Sequence, residues 1–298
     1  MDSNCLVFHI GDQESGHPVG NLLRHKWGFS RGLVRKLKRK GEVRVNGRPV
    51  YMRERVVSGD VLEVTMPPDG ATEVEPDDIT LEVIYEDEHI LAVNKPAGML
   101  VHPVGEEQRG TLANAVLFRW RKQGKTGRFR PVYRLDRDTT GIVLVAGGPY
   151  AAQQLARQLE NGLLHRRYLA VVEGTPDPAG TIDLPLAPHP GYRSLWRVDP
   201  AGKRAVTHYR LIRKLGGAAL LSLELETGRT HQIRVHMSHR GHPLAGDIRY
   251  GGSGFLLDRQ ALHAAAIDFR HPFSGAPLKL RSLLPPDMRQ LVRRLFSN

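Results

Sequence analysis

The stretch YRLDRDTTGIVLVAGG, residues 133–148, decides how the rest of this chain is read. Its second half, Ile142 to Ala146, is an unbroken apolar run closed by Gly147 and Gly148, and it reads as a buried strand. Its first half is polar, with Asp136 and Asp138 alternating with Arg134 and Arg137. Asp136 therefore sits in a loop that feeds a buried strand, where a side chain can be held rigidly at the edge of a cleft. Taken alone, such a D-x-D also reads as a turn or capping pair bonded to its own backbone.

Outward from this stretch, short β-branched runs recur: LEVIYED (81–87), ILAVNKP (90–96), RYLAVVEG (167–174), AVTHYRLI (205–212), ALLSLELET (219–227) and HQIRVHM (231–237). Helical patterns are fewer: TLANAVLFRWRKQ (111–123), PYAAQQLARQLENG (149–162) and PDMRQLVRRLF (286–296). Many strands without strict βαβ alternation predict an α+β fold, a mainly antiparallel sheet with flanking helices. Within the segment 229–236, strand alternation would put Thr230, Gln232, Arg234 and His236 on one face. Arg229, His231, Ile233 and Val235 would take the other. Tyr168 opens a predicted strand and, by residue type alone, reads as a half-buried sheet residue.

The chain of 298 residues has a formal net charge of +12, and the charge is unevenly spread. Residues 16–66 hold twelve Lys and Arg against four acids, a net of eight positive charges. In FSRGLVRKLKRKGEVRVNGRPV, Ser30 is a candidate N-cap for a helix that stops at Gly41. Leu33, Val34 and Leu37 would face a core, with Arg35, Lys38 and Arg39 largely opposite. EVRVNGRPV then alternates as a strand and turns at Asn46-Gly47, a strong hairpin signal, and GDVLEVTM returns. A small αβ unit with a basic face suits phosphate contacts, so nucleic acid is the expected partner. PPDGATEVEPDDIT (67–80), rich in Pro, Gly and acids, reads as a solvated linker. The expected organisation is an N-terminal unit over 1–66, a linker over 67–80 and a larger domain over 81–298.

Other chemistries find little support. Four histidines, at 231, 236, 239 and 242, lie close in sequence, but there is no HExxH and only one cysteine, so no metal site is expected. There is no GxGxxG after a strand, no GxxxxGK[ST] and no GxSxG, so neither a nucleotide cofactor nor a serine triad is expected. With no signal-peptide pattern and no apolar run long enough to cross a bilayer, a cytoplasmic protein is expected, with monomer as the default.

The N-terminal unit resembles the S4 RNA-binding domain in Ser30-Arg31, Gly41, VRVNG at 43–47 and Gly59-Asp60. The larger part resembles the RluA-type pseudouridine synthases. The resemblance rests on NKPAGMLVHP (94–103), RLDRDTTG (134–141), RRYLAVVEG (166–174), GKRAVTHYRLI (202–212), TGRTHQIRVHMSHRGHPLAGDIRYG (227–251) and LHAAAIDFRHP (262–272), all in that family's order. Tyr133 and Thr140 depart from it, standing where the family commonly has His and Ser.

The resemblance implies isomerisation of uridine to pseudouridine in structured RNA, ribosomal or transfer, without a cofactor. It puts the catalytic aspartate at Asp136, the active-site tyrosine at Tyr168, the active-site basic residue at Arg234 and an RNA-contacting arginine at Arg134. Arg31, Arg35, Lys38 and Arg39 are the further RNA-binding expectations. Arg234 is expected to pair with Asp136 and favour its charged form, with Tyr168 stacking on the uracil. An RNA N-glycosidase using Asp136 and Asp138 as a carboxylate pair, and a non-catalytic RNA-binding protein, remain as alternative readings.

Overall fold

The computed structural model describes residues 5–40, 42–66, 72–192 and 194–296. The N-terminal sheet holds β1 (Cys5–His9), β2 (Glu42–Val45), β3 (Arg48–Pro49) and β4 (Val61–Thr65), antiparallel in the order β1-β4-β2-β3. With it go α1 (Val19–Asn21), which runs into a π-helical turn over Leu22–Lys26, and α2 (Arg31–Lys40). Ser30 Oγ accepts the Leu33 N–H at 3.1 Å, so α2 starts on the cap read from sequence. The stop expected at Gly41 lies outside the described residues. Leu33, Val34 and Leu37 are buried with Val43, Leu62 and Val64, while Arg31, Arg35, Lys38 and Arg39 are exposed. Asn46 and Gly47 have φ of 51° and 77°, the left-handed pair that a two-residue hairpin needs.

The segment 67–71 of the expected linker lies outside the described residues. The rest of it is docked: Val74 and Ile79 pack against the large core, and Asp77 accepts the Gly110 N–H at 2.9 Å.

The large sheet takes β5 (Glu82–Glu86), β6 (Ile90–Lys95), β7 (Thr140–Ala146), β8 (His165–Glu173) and β9 (Ala179–Asp183). A separate two-stranded ribbon follows, β10 (Leu186–Pro188) with β11 (Trp196–Val198). Then come β12 (Val206–Leu215), β13 (Ala218–Leu225), β14 (Leu262–Arg270) and β15 (Pro277–Arg281). The order is β5-β6-β7-β14-β8-β13-β12-β9, with β15 also on β14, and only β7–β14 is parallel. This is the mainly antiparallel α+β fold expected.

Every residue of β7 is buried, including the whole apolar run from Ile142 to Ala146. Leu112, Val116 and Trp120 of α3 (Leu112–Lys122) share its core, as do Ala151 and Leu155 of α4 (Pro149–Glu160). Helix α5 spans Gln232–His239, and Met288 and Leu291 of α6 (Pro286–Phe296) pack with Val171 and Leu215. The two units touch through α4: Tyr150 Oη donates to the Trp27 carbonyl at 3.1 Å, and Gln153 Nε2 to that of Gly28 at 2.9 Å.

One expectation is corrected. HQIRVHM is not a strand: it forms most of α5, with His231 as the N-cap in the left-handed region at φ 55°. Arg234 and His236 therefore do not share a strand face with Gln232. Gln232 to Met237 are all buried, so each polar side chain must meet a protein partner instead of water. The partners they find fix the helix in place.

Candidate active site

The loop carrying Asp136 is held from several sides. The Thr139 N–H donates to the Asp136 carbonyl at 3.1 Å, closing a turn. Gly141, at φ 112°, lets β7 come so close to β14 that a Cβ there would collide with the Ala264 backbone. Lys95, buried at the end of β6, donates from Nζ to the carbonyls of Pro96, Met99 and Arg137 at 2.7–2.8 Å. Asp138 accepts the Gly98 N–H at 3.1 Å, and Arg137 grips Glu107 at 2.6 and 2.7 Å. The alternating charges of the loop thus largely serve to tie it down. The Asp136 carboxylate is left reaching into the groove.

Opposite stands α5. Gln232 clamps its start: Oε1 accepts from the Arg229 N–H at 3.0 Å and the Thr227 hydroxyl at 2.9 Å, while Nε2 donates to the Val206 carbonyl at 2.9 Å. His236 bridges Thr207 Oγ1 and the Leu184 carbonyl, each at 2.9 Å. So fixed, Arg234 meets both carboxylates. Its Nε and Nη2 take Asp247 in a two-pronged bond at 2.7 and 2.9 Å, and its Nη1 donates to Asp136 Oδ2 at 3.1 Å. The Tyr250 ring lies 4.8 Å below the guanidinium. Tyr250 Oη accepts the Trp196 N–H at 3.0 Å and is hydrogen-bonded to His231 Nδ1 at 2.7 Å. The other ring nitrogen, His231 Nε2, faces Asp136 Oδ2 at 3.9 Å.

A groove of about 1060 Å³ opens over this pair, lined also by Tyr168 and Arg134. Asp136 keeps 25 % of its side-chain surface, against 5 % for Arg234. The structure therefore brings together Asp136, Arg234, Tyr168 and Arg134. Arg31, Arg35, Lys38 and Arg39 lie apart on α2. An accessible carboxylate backed by a buried guanidinium can attack or deprotonate at a sugar carbon, and a buried aromatic beside it can pack against a base.

Residues 89–239 match the family described as RNA pseudouridylate synthase, and residues 6–62 match the RluD ribosomal pseudouridine synthase N-terminal domain. A ribosomal large subunit pseudouridine synthase D of Xylella fastidiosa is 40 % identical over 281 residues, covering 90 % of this chain and 85 % of its own. The chain belongs to the RNA pseudouridine synthase family. The uncharacterized RNA pseudouridine synthase YhcT of Bacillus subtilis is 36 % identical, covering 98 % of each chain. The solved structure of human RNA pseudouridylate synthase domain containing 4 shares the fold, with a TM-score of 0.59 at 23 % identity over 72 % of this chain and 92 % of that one.

As a pseudouridine synthase the chain isomerises uridine in RNA, which displaces the glycosidase and binding-only readings. The synthase site also shows residues that sequence reasoning missed. Asp247, Tyr250 and His231 form the backing of Arg234, and Lys95 holds the Asp136 loop. All lay inside quoted motifs, but nothing in linear spacing pairs residue 234 with 247 or 95 with 137.

Electrostatics follow from burial. Burial works against the charge on Arg234, but the hydrogen bonds and charge of Asp247, then the charge of Asp136, raise its pKa and keep it a cation. Burial lowers Lys95 to about 7 against the pull of Asp138 and Asp136. It also lowers His231, and raises the Tyr168 phenol, which stays protonated.

Proposed function

We propose that this synthase modifies ribosomal RNA of the large subunit, with Asp136 as the reacting carboxylate. Arg234 holds Asp136 in line through its bond to Oδ2. The target uridine is extruded from its stack into the groove, where Tyr168 packs on the uracil. Arg134 contacts the RNA beside the vacated position. The exposed face of α2, with Arg31, Arg35, Lys38 and Arg39, holds phosphates. On this reading 1–66 is the RNA-binding unit, 67–80 the connection and 81–298 the catalytic domain. The chain acts as a monomer in the cytoplasm on the same reading.

What carries this reading is the bridge from Asp247 through Arg234 to Asp136, a carboxylate left open on its groove side and backed by a buried cation. The ribosomal target is supported by relatives named for the large ribosomal subunit. The test is an unmodified large-subunit RNA transcript incubated with the protein, its pseudouridines mapped by carbodiimide labelling and primer extension. New stops at discrete uridines, absent with Asp136→Asn, are expected. Conversion confined to transfer RNA would overturn the target, and conversion surviving Asp136→Asn would overturn the role of that residue.

A further inference from the structure

The groove holds a second buried arginine that takes no part in the bridge to Asp136. Arg166 lies two residues before Tyr168 on β8, so both side chains leave the strand on one face. Only 6 % of Arg166 is exposed, and it lines the groove that holds Asp136. Its guanidinium lies 5.3 Å from the Tyr133 ring centroid and packs on Gly228, where a Cβ would stand 3.3 Å from Nη1.

Its partners set it apart from Arg234. Arg234 is saturated by two carboxylates. Among the described residues Arg166 forms no ion pair, and its buried Nε has no hydrogen-bond partner. A buried guanidinium without a counter-charge is costly, so a site that keeps one has a use for its free charge. The use is not phosphate binding at the rim, where the exposed Arg134 and Arg249 already stand. Arg166 lies deep, and among the described residues its one side-chain hydrogen-bond partner at the site is the neutral Tyr168 phenol, the residue on which the uracil would pack.

We propose that Arg166 stabilises the detached uracil as an anion, by donating to one of its carbonyl oxygens while the base turns. This rests on the reading that places the target uridine against Tyr168. When the C1′–N1 bond breaks, its electron pair leaves with the ring, and the charge spreads over N1, O2 and O4. C5 then supplies the pair for the new bond to C1′. C5 loses its proton and N1 gains one, so product and substrate have the same atoms. The charge near Arg166 exists only between these two bonds, so a donor aimed there favours the intermediate over bound uridine. The same contact keeps the free base from escaping during its rotation.

The test uses the full chain under single turnover, with an RNA that the wild type converts, carrying uridine or 5-fluorouridine at the target. Loss of the parent nucleoside is followed after digestion, because 5-fluorouridine has no C5 proton to lose and ends as a C-linked ring that keeps its fluorine and takes up water across N1=C6. With uridine, Arg166→Met is expected to slow conversion by roughly 10²–10³-fold, the effect of removing one aimed donor, while RNA Kd hardly changes. With 5-fluorouridine, whose ring carries negative charge more readily, the defect should be roughly tenfold smaller. Arg166→Lys keeps stem and charge, should fall between, and carries the comparison if Arg166→Met does not fold. Equal defects on the two RNAs would make Arg166 merely structural and overturn the proposal. So would a loss confined to Kd, which would make it a phosphate anchor. Asp136→Asn run alongside separates the two readings. Conversion that survives it contradicts the site itself, whereas conversion that it abolishes but Arg166→Met spares contradicts only the role given to Arg166.

Discussion

The groove floor and the outer face of α2 are both rich in arginine, and they handle charge in opposite ways. At the floor, Arg234 is buried and bound to two carboxylates, one of them itself fully buried. On α2, Arg31, Arg35, Lys38 and Arg39 are exposed and form no ion pair among the described residues. The buried charge of Arg234 is offset by partners that are themselves fixed, so this pair has one geometry and little freedom. An exposed charge costs little to leave unpaired and stays available to a polyanion. Chemistry and affinity are therefore expected to fail separately when each region is altered.

The largest expected effect lies at the floor. Asp247→Ala leaves Arg234 buried with Asp136 alone. Removing one partner of a buried pair costs about 3–5 kcal/mol, which denaturant unfolding would register, and conversion should fall with it. Full stability in this variant would mean that the guanidinium finds another partner. Next comes Lys95→Met, which strips the carbonyls of Pro96, Met99 and Arg137 of their donor. Leaving a buried acceptor unsatisfied costs about 1–3 kcal/mol, and the loosened Asp136 loop should lower the single-turnover rate more than it weakens RNA binding. An equal drop in both would contradict the separation of the two regions.

Neutralising Arg31, Arg35, Lys38 and Arg39 together should weaken RNA binding and flatten its salt dependence, by about 0.7–0.9 in log–log slope for each phosphate that the protein no longer neutralises. The rate at saturating RNA should hold. An unchanged slope would take α2 off the RNA.

The smallest effect is a pH trend. Burial lowers the pKa of His236 and of His263, whose Nδ1 meets Thr140 Oγ1 at 2.8 Å. Both stay neutral when folded, so the unfolded chain takes up protons first as the pH falls through about 6.5. Stability should be full above that value and decline below it until the folded histidines also protonate. Melting temperatures from about pH 7.5 down to about 5.5, spanning the ordinary histidine range, would show the fall, and His263→Gln should blunt it.

Much of the fold was legible because local chemistry and tertiary structure agree. Ser30 caps α2, Asn46-Gly47 turns the hairpin, and the apolar run 142–146 is buried throughout. The misread segment was 231–237. Its polar and apolar residues alternate as in a strand, and a helix buried on every side shows no polar face to contradict that pattern. Its polar side chains are satisfied by Thr207, Thr227, Asp247 and backbone carbonyls, none of which sequence spacing pairs with it. Likewise Asp136 and Arg234 were nameable from their motifs, but Asp247, Lys95 and Arg166 take their meaning from neighbours that only folding supplies.

The most direct measurement sets turnover against affinity on one RNA. Single-turnover conversion and RNA Kd would be determined for wild type, for Asp136→Asn and for the chain with its four α2 cations neutralised. Asp136→Asn is predicted to bind almost as wild type and convert nothing, while the α2 variant binds poorly and converts normally once saturated. Near-normal conversion by Asp136→Asn would contradict the role of that carboxylate and, with it, the division between floor and face.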